Sequence, residues 1–135
     1  MKWTLWIVVV FAANPFLCPA SATGNQLVNP GFEDNDGQAP TDWKLYLMLQ
    51  DGAFGRVDYE TAHAGDFSAV IHVPQVYEKE PANNWSQSIS GDFAGTTLEL
   101  SGCIKTDEAG EAALWLQCWG GRPVRLLAGS TSSTE

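Results

Sequence analysis

Apolar and polar residues alternate with a period of two along much of this 135-residue chain. Gly, Pro, Asp and Asn interrupt the alternation roughly every eight to twelve residues, the spacing of short strands joined by turns. No stretch carries a 3.6-residue apolar period, so helices are not expected. The clearest strand is 67–73, where Phe67, Ala69, Ile71 and Val73 point one way and Ser68 and His72 the other. Further strands are expected at 26–28, 42–47, 55–60, 85–90, 96–105, 111–119 and 123–128. The strand at 55–60 would put Val57 and Tyr59 on one face, and the one at 85–90 would set Trp85, Gln87 and Ile89 against Ser86, Ser88 and Ser90. The pattern predicts an all-β sandwich or barrel.

The N-terminus has a different character. Lys2 is followed by an apolar run from Trp3 to Ala13, then Pro15, then the small-x-small triplet Ala20-Ser21-Ala22. That is the layout of an export signal, with cleavage expected after Ala22. A retained membrane anchor and a lipoprotein reading through Cys18 are the alternatives. The run is short for a bilayer span, and no later segment is long and apolar enough to be one. Residues 1–22 are thus read as a leader, 23–128 as one domain and 129–135, GSTSSTE, as a polar tail. The product is expected to be secreted or periplasmic, without a membrane partner once the leader is cut.

Charge narrows the partners. The chain carries a formal net charge of −9, and loss of Lys2 with the leader takes it to −10. Phosphate backbones are repelled by such a surface, which excludes nucleic acid as an expected partner. Cys103 and Cys118 fall on opposite faces of an expected hairpin, 96–105 with 111–119, turning at 106–110. Their thiols are therefore not expected to bond.

The order of blocks carries a resemblance. "NQLVNPGFED", then Trp43, "HAGDFSAVIHV", "WSQSIS", "LELSGCIKTDE" and "AALWLQCW" resemble carbohydrate-binding modules of the family 4/9/22 type. Those are jelly-roll β-sandwiches of the galactose-binding-like class, usually attached to secreted glycoside hydrolases. The resemblance spans Asn25 to about Trp119. It implies further closing strands beyond "RPVRLLAGSTSSTE", so the sandwich is expected to lack its last strands. Cys103 stands where such modules often carry a large aromatic. The resemblance also implies a structural calcium ion, held by Glu33 of "NPGFE", by carbonyls around His63 to Asp66, and by an acid from the absent C-terminal part. Oxygen donors of this kind suit calcium. Asn29-Pro30-Gly31 has a plainer expected role, a turn that returns Phe32 to the core.

A sugar ring has an apolar C–H face and a hydroxyl rim, so its binding site wants exposed indoles or phenols beside amides. Trp115, Gln117 and Trp119 supply that set on one strand face, opposite Leu114, Leu116 and Cys118. Tyr46 is a fourth candidate, with Tyr77, Arg122 and Arg125 after it. Trp43 and Trp85 share faces with Leu45, Leu47 and Ile89 and are expected in the core. Asn84-Trp85-Ser86 matches a glycosylation triplet. There are two histidines and no motif of a hydrolase or metalloprotease. The expectation is a non-catalytic module that binds a polysaccharide. The alternative is a structural or protein-interaction sandwich without a sugar site, the N-terminal part of a larger secreted protein.

Overall fold

The computed structural model describes residues 3–7, 24–79, 82–91, 93, 97–107, 112–121 and 123–133, the first of these by its backbone course. Within them lie seven strands and no helix: β1 (Trp3–Ile7), β2 (Lys44–Tyr46), β3 (Phe54–Asp58), β4 (Ser68–His72), β5 (Asn84–Gly91), β6 (Ala113–Gly120) and β7 (Arg125–Ser133). One sheet is five-stranded in the order β2-β5-β1-β6-β7, and β3 and β4 form a second, two-stranded sheet. Every neighbouring pair is antiparallel. The molecule is all-β, with two sheets sharing one core, the layering of a sandwich.

The core is aromatic. Phe32, Trp43 and Trp85 are buried together, and Phe67, Ala69, Ile71, Ile89, Leu98, Leu100, Leu116 and Cys118 pack around them. Phe32 and Trp43 meet with ring centroids 5.0 Å apart at 57°, the tilted contact that aromatic quadrupoles favour. Each indole N–H still finds an acceptor: Trp43 Nε1 donates to the Asn29 carbonyl at 2.9 Å, and Trp85 Nε1 to the Val70 carbonyl at 3.1 Å. The second of these ties β5 to β4 and so joins the two sheets. Leu45 completes the contact beside it, lying so close to Gly55 that an added Cβ would stand 2.6 Å from Leu45 Cδ1.

The acidic loop between Asn29 and Trp43 is a knot of side-chain-to-backbone bonds. Asn29 and Phe32 both adopt positive φ, 48° and 64°. Asparagine tolerates that region, and for phenylalanine it costs on the order of 1–3 kcal/mol. Burial of the Phe32 ring, 2 % exposed, offsets the cost. Asn29 Nδ2 donates to the carbonyls of Asp34 and Thr41, and its Oδ1 accepts from Asp34 N–H. Asp36 Oδ1 accepts from the N–H groups of Gln38 and Ala39 at 2.8 and 2.7 Å. Val57 N–H then donates to the Gln38 carbonyl at 2.9 Å, fixing the loop to β3.

Four sequence expectations need correction. Residues 97–107 hold no strand, and the hairpin with 111–119 does not form. Both edges of β6 are taken, by β1 on one side and β7 on the other. Leu98 and Leu100 nonetheless reach the core, so their alternation reflects burial without a ladder. Residues 129–133, read as a polar tail, continue β7 and pair with β6 as far as Ser133 opposite Ala113. Backbone groups make that ladder, and it does not require apolar side chains. Residues 26–28 form no strand either. There the Gln87 side chain takes a strand's place, accepting from Val28 N–H at 2.8 Å and donating to the Val28 carbonyl at 2.9 Å. Tyr59 is exposed, because β3 ends at Asp58 and its alternation ends there too.

β1 lies within the segment read as an export leader, and the expected cleavage point falls outside the described residues. Cys103 and Cys118 are both free thiols.

Candidate functional site

β6 runs through the middle of the site. Leu116 and Cys118 face the core, which turns Trp115, Gln117 and Trp119 to the outer face of the five-stranded sheet. Trp115 is 41 % exposed, and Gln117 and Trp119 are half-buried. Register slips between Cys118 and Trp119, where β7 carries one residue more than β6. The extra residue belongs to β7, so the alternation of β6 is intact and all three side chains stay on one face. Trp119 Nε1 donates to Gln117 Oε1 at 3.1 Å. On β7, exposed Leu126 stands opposite Trp119, and Gly129 stands opposite Gln117.

Tyr46 shares this outer face but not this neighbourhood. Its partner across the ladder is Asn84, while Leu45 pairs with Trp85 on the inner side. From β2 to β6 is three steps in the sheet order, roughly 14 Å at the usual strand spacing. β5 lays Ser88 and Ser90, both exposed, along the ground between. Arg125 is exposed at the start of β7, and Arg122 lies outside the described residues. Tyr77 serves the structure, its hydroxyl donating to the Met48 carbonyl at 2.8 Å and accepting from Asn83 Nδ2 at 3.2 Å. Asn84 is half-buried, with Nδ2 donating to the Ala82 carbonyl, and Trp85 and Ser86 behind it are buried.

Glu33 meets the 63–66 turn as an acceptor. Its Oε1 takes the N–H groups of Asp66 and Phe67 at 3.0 and 3.3 Å. Gly65 has φ +74°, and a Cβ there would overlap Glu33 Oε1. Glycine at this position therefore lets the carboxylate close on the turn. Glu33 and Asp66 approach through a backbone N–H and not as two carboxylates. Among the described residues no three His, Cys, Asp or Glu side chains gather as a metal cluster. Calcium asks for six to eight oxygens, and one carboxylate with an oxygen already committed does not meet that requirement by itself.

Asp36 is the titratable group that the loop perturbs. The N–H groups of Ala39 and then Gln38 hold its carboxyl below the ordinary value of 3.8, against a weaker upward push from burial. This is a structural acid, exposed and occupied by its own turn.

One cluster was not anticipated from the sequence. On the outer face of β3–β4, Phe54 stacks on His72 with centroids 4.9 Å apart, and the Arg56 guanidinium lies 4.9 Å over the Phe54 ring. Residues 54 and 72 are far apart in sequence, and only the β3–β4 register makes them neighbours.

No protein-family model matches the chain, and neither a curated protein nor a solved structure matches it. No helix among the described residues is long and apolar enough to cross a membrane.

Proposed function

We propose that this chain is an exported, non-catalytic glycan-binding module built as a jelly-roll sandwich of the galactose-binding-like type. The observation that supports the reading is the outward set Trp115, Gln117 and Trp119, with Leu116 and Cys118 turned to the core behind it. Trp115, Trp119 and Leu126 line one outer face, and an apolar patch with a polar group beside it is the kind of surface that meets a ligand. A sugar ring fits that surface, with C–H groups against the indole and hydroxyls toward the amide. Binding of this kind breaks no bond, and a calcium ion at Glu33 and Asp66, which the resemblance implies, would be structural and take no part in recognition. Tyr46, roughly 14 Å away across the sheet, serves only a ligand long enough to reach it.

The test is retention on insoluble polysaccharides of the wild type, Trp115→Ala and Trp119→Ala. Retention lost in both variants, with unchanged thermal midpoints, supports the reading. Equal retention in all three, or none by the wild type across a broad glycan panel, favours a structural or protein-interaction domain.

A further inference from the structure

Cleavage of the leader opens the middle of the large sheet. β1 stands between β5 and β6 and pairs antiparallel with residues 87–91 on one side and 116–119 on the other. β5 and β6 therefore run parallel to each other, two strand spacings or roughly 9.5 Å apart. Without residues 1–22, each shows a row of unpaired N–H and C=O groups across that gap. The floor of the gap is apolar, since Ile89, Leu116 and Cys118 pack on the core. β1 shows what such a gap holds. It is an extended five-residue segment, WTLWI. Its register sets Leu5 level with Ile89 and Cys118, and Ile7 level with Leu116.

A strand that fills the gap must have both of its edges free. The other described strands do not qualify, in this chain or in a second copy: β2 is paired with β5, β3 with β4, and β7 with β6. We propose that the processed protein takes up a strand from another polypeptide, an extended segment of alternating apolar residues that enters antiparallel to both β5 and β6. The proposal rests on the export reading, because cleavage is what vacates the position. Main-chain hydrogen bonds along two edges hold the segment, and apolar side chains at the positions level with Ile89 and Leu116 select it. In the unprocessed chain the leader occupies the site itself and keeps it closed.

A dye-labelled peptide of residues 1–9 is the probe, and fluorescence anisotropy reads its binding. It is offered to the wild-type full chain, to the full chain carrying Leu5→Pro, and to the product secreted by an exporting host. Proline at position 5 lacks the N–H and breaks β1 out of the ladder. The peptide is expected to bind the secreted product and Leu5→Pro, and to bind the wild-type full chain at least about tenfold more weakly. A peptide carrying Leu5→Ser and Ile7→Ser is expected to bind the secreted product about tenfold or more weakly, the size of one aliphatic side chain kept from burial. Amide protection at 87–91 and 116–119 of the secreted product is expected to rise with the first peptide. A secreted product that is unfolded alone is expected to regain a thermal transition when that peptide is added. Equal binding by the wild-type full chain places the peptide elsewhere and overturns the inference. A secreted product that begins at Thr23, yet neither binds the peptide nor gains protection or a transition from it, overturns the inference and leaves the export reading standing. A product that keeps residues 1–22 by intact mass overturns the export reading and the inference with it.

Discussion

Single side chains in this protein often stand in for backbone. Gln87 is the clearest case, buried at 6 % exposure and bonded to both polar groups of Val28 and to the Asp42 carbonyl. Gln87→Leu keeps the volume and strands those groups. These bonds are part-buried, so at about 0.5–1.5 kcal/mol for each hydrogen bond lost this variant is expected to lower the urea midpoint. A midpoint within error of the wild type would mean that water replaces the amide. Gly65→Ala places a methyl group where Glu33 Oε1 sits, at a φ of +74°. Strain alone costs about 1–3 kcal/mol. Glu33→Ala in the same background should recover part of the loss in a thermal melt, since it removes the overlap but not the φ. Asp36 contributes to the pH dependence. Its folded pKa lies below the unfolded value, so its contribution is present above about pH 4 and disappears as pH falls through the lowered folded value. Asp36→Asn keeps the acceptor for Gln38 and Ala39 and should flatten the acid limb of the stability curve. Asp36→Ala should also lower stability at neutral pH.

At the scale of elements, the strands with one buried face could be read from the sequence. β4 and β5 show their alternation because the core takes alternate apolar residues: Ala69 and Ile71 on one, with Phe67 just before it, and Trp85 and Ile89 on the other. The same logic placed Trp43 in the core and Tyr46 outside. It failed where burial and pairing part company. Leu98 and Leu100 alternate and are packed, yet make no ladder, because the sequence says nothing of who holds the edges of β6. β7 failed in the opposite sense, since its ladder runs through a Ser- and Thr-rich stretch with no apolar period. The outward direction of Trp115, Gln117 and Trp119 was visible from parity. The Trp119–Gln117 bond was not, since it depends on a contact that spacing alone does not specify. Trp43→Ala measures the weight of the core element. It removes the Phe32 contact and the bond that holds Asn29, and aromatic truncations in cores cost about 3–5 kcal/mol. Loss of amide protection should extend to loop 29–43. Protection lost only beside residue 43 would show that the loop is held independently of the core.

For the whole molecule, the large sheet and the export reading meet at β1. The strand stands between β5 and β6 and pairs with both. Cleavage after Ala22, as read from the sequence, removes it. Expression in an exporting host is therefore expected to yield a product that begins at Thr23 by intact mass. Backbone protection in β5 and β6 of that product is expected to fall relative to the unprocessed chain, because each strand loses a neighbour. Equal protection in both forms would mean that the two strands find other partners.

The central claim is that the outer face of β6, and not the aromatic core, meets the ligand. The six tryptophans allow it to be tested in one spectrum, the indole N–H region during titration with a retained glycan. Trp115 and Trp119 should move in a saturable way, while Trp43 and Trp85, whose N–H groups are held by the Asn29 and Val70 carbonyls, should stay in place. A titration that shifts Trp43 or Trp85 and leaves Trp115 and Trp119 unmoved would contradict it.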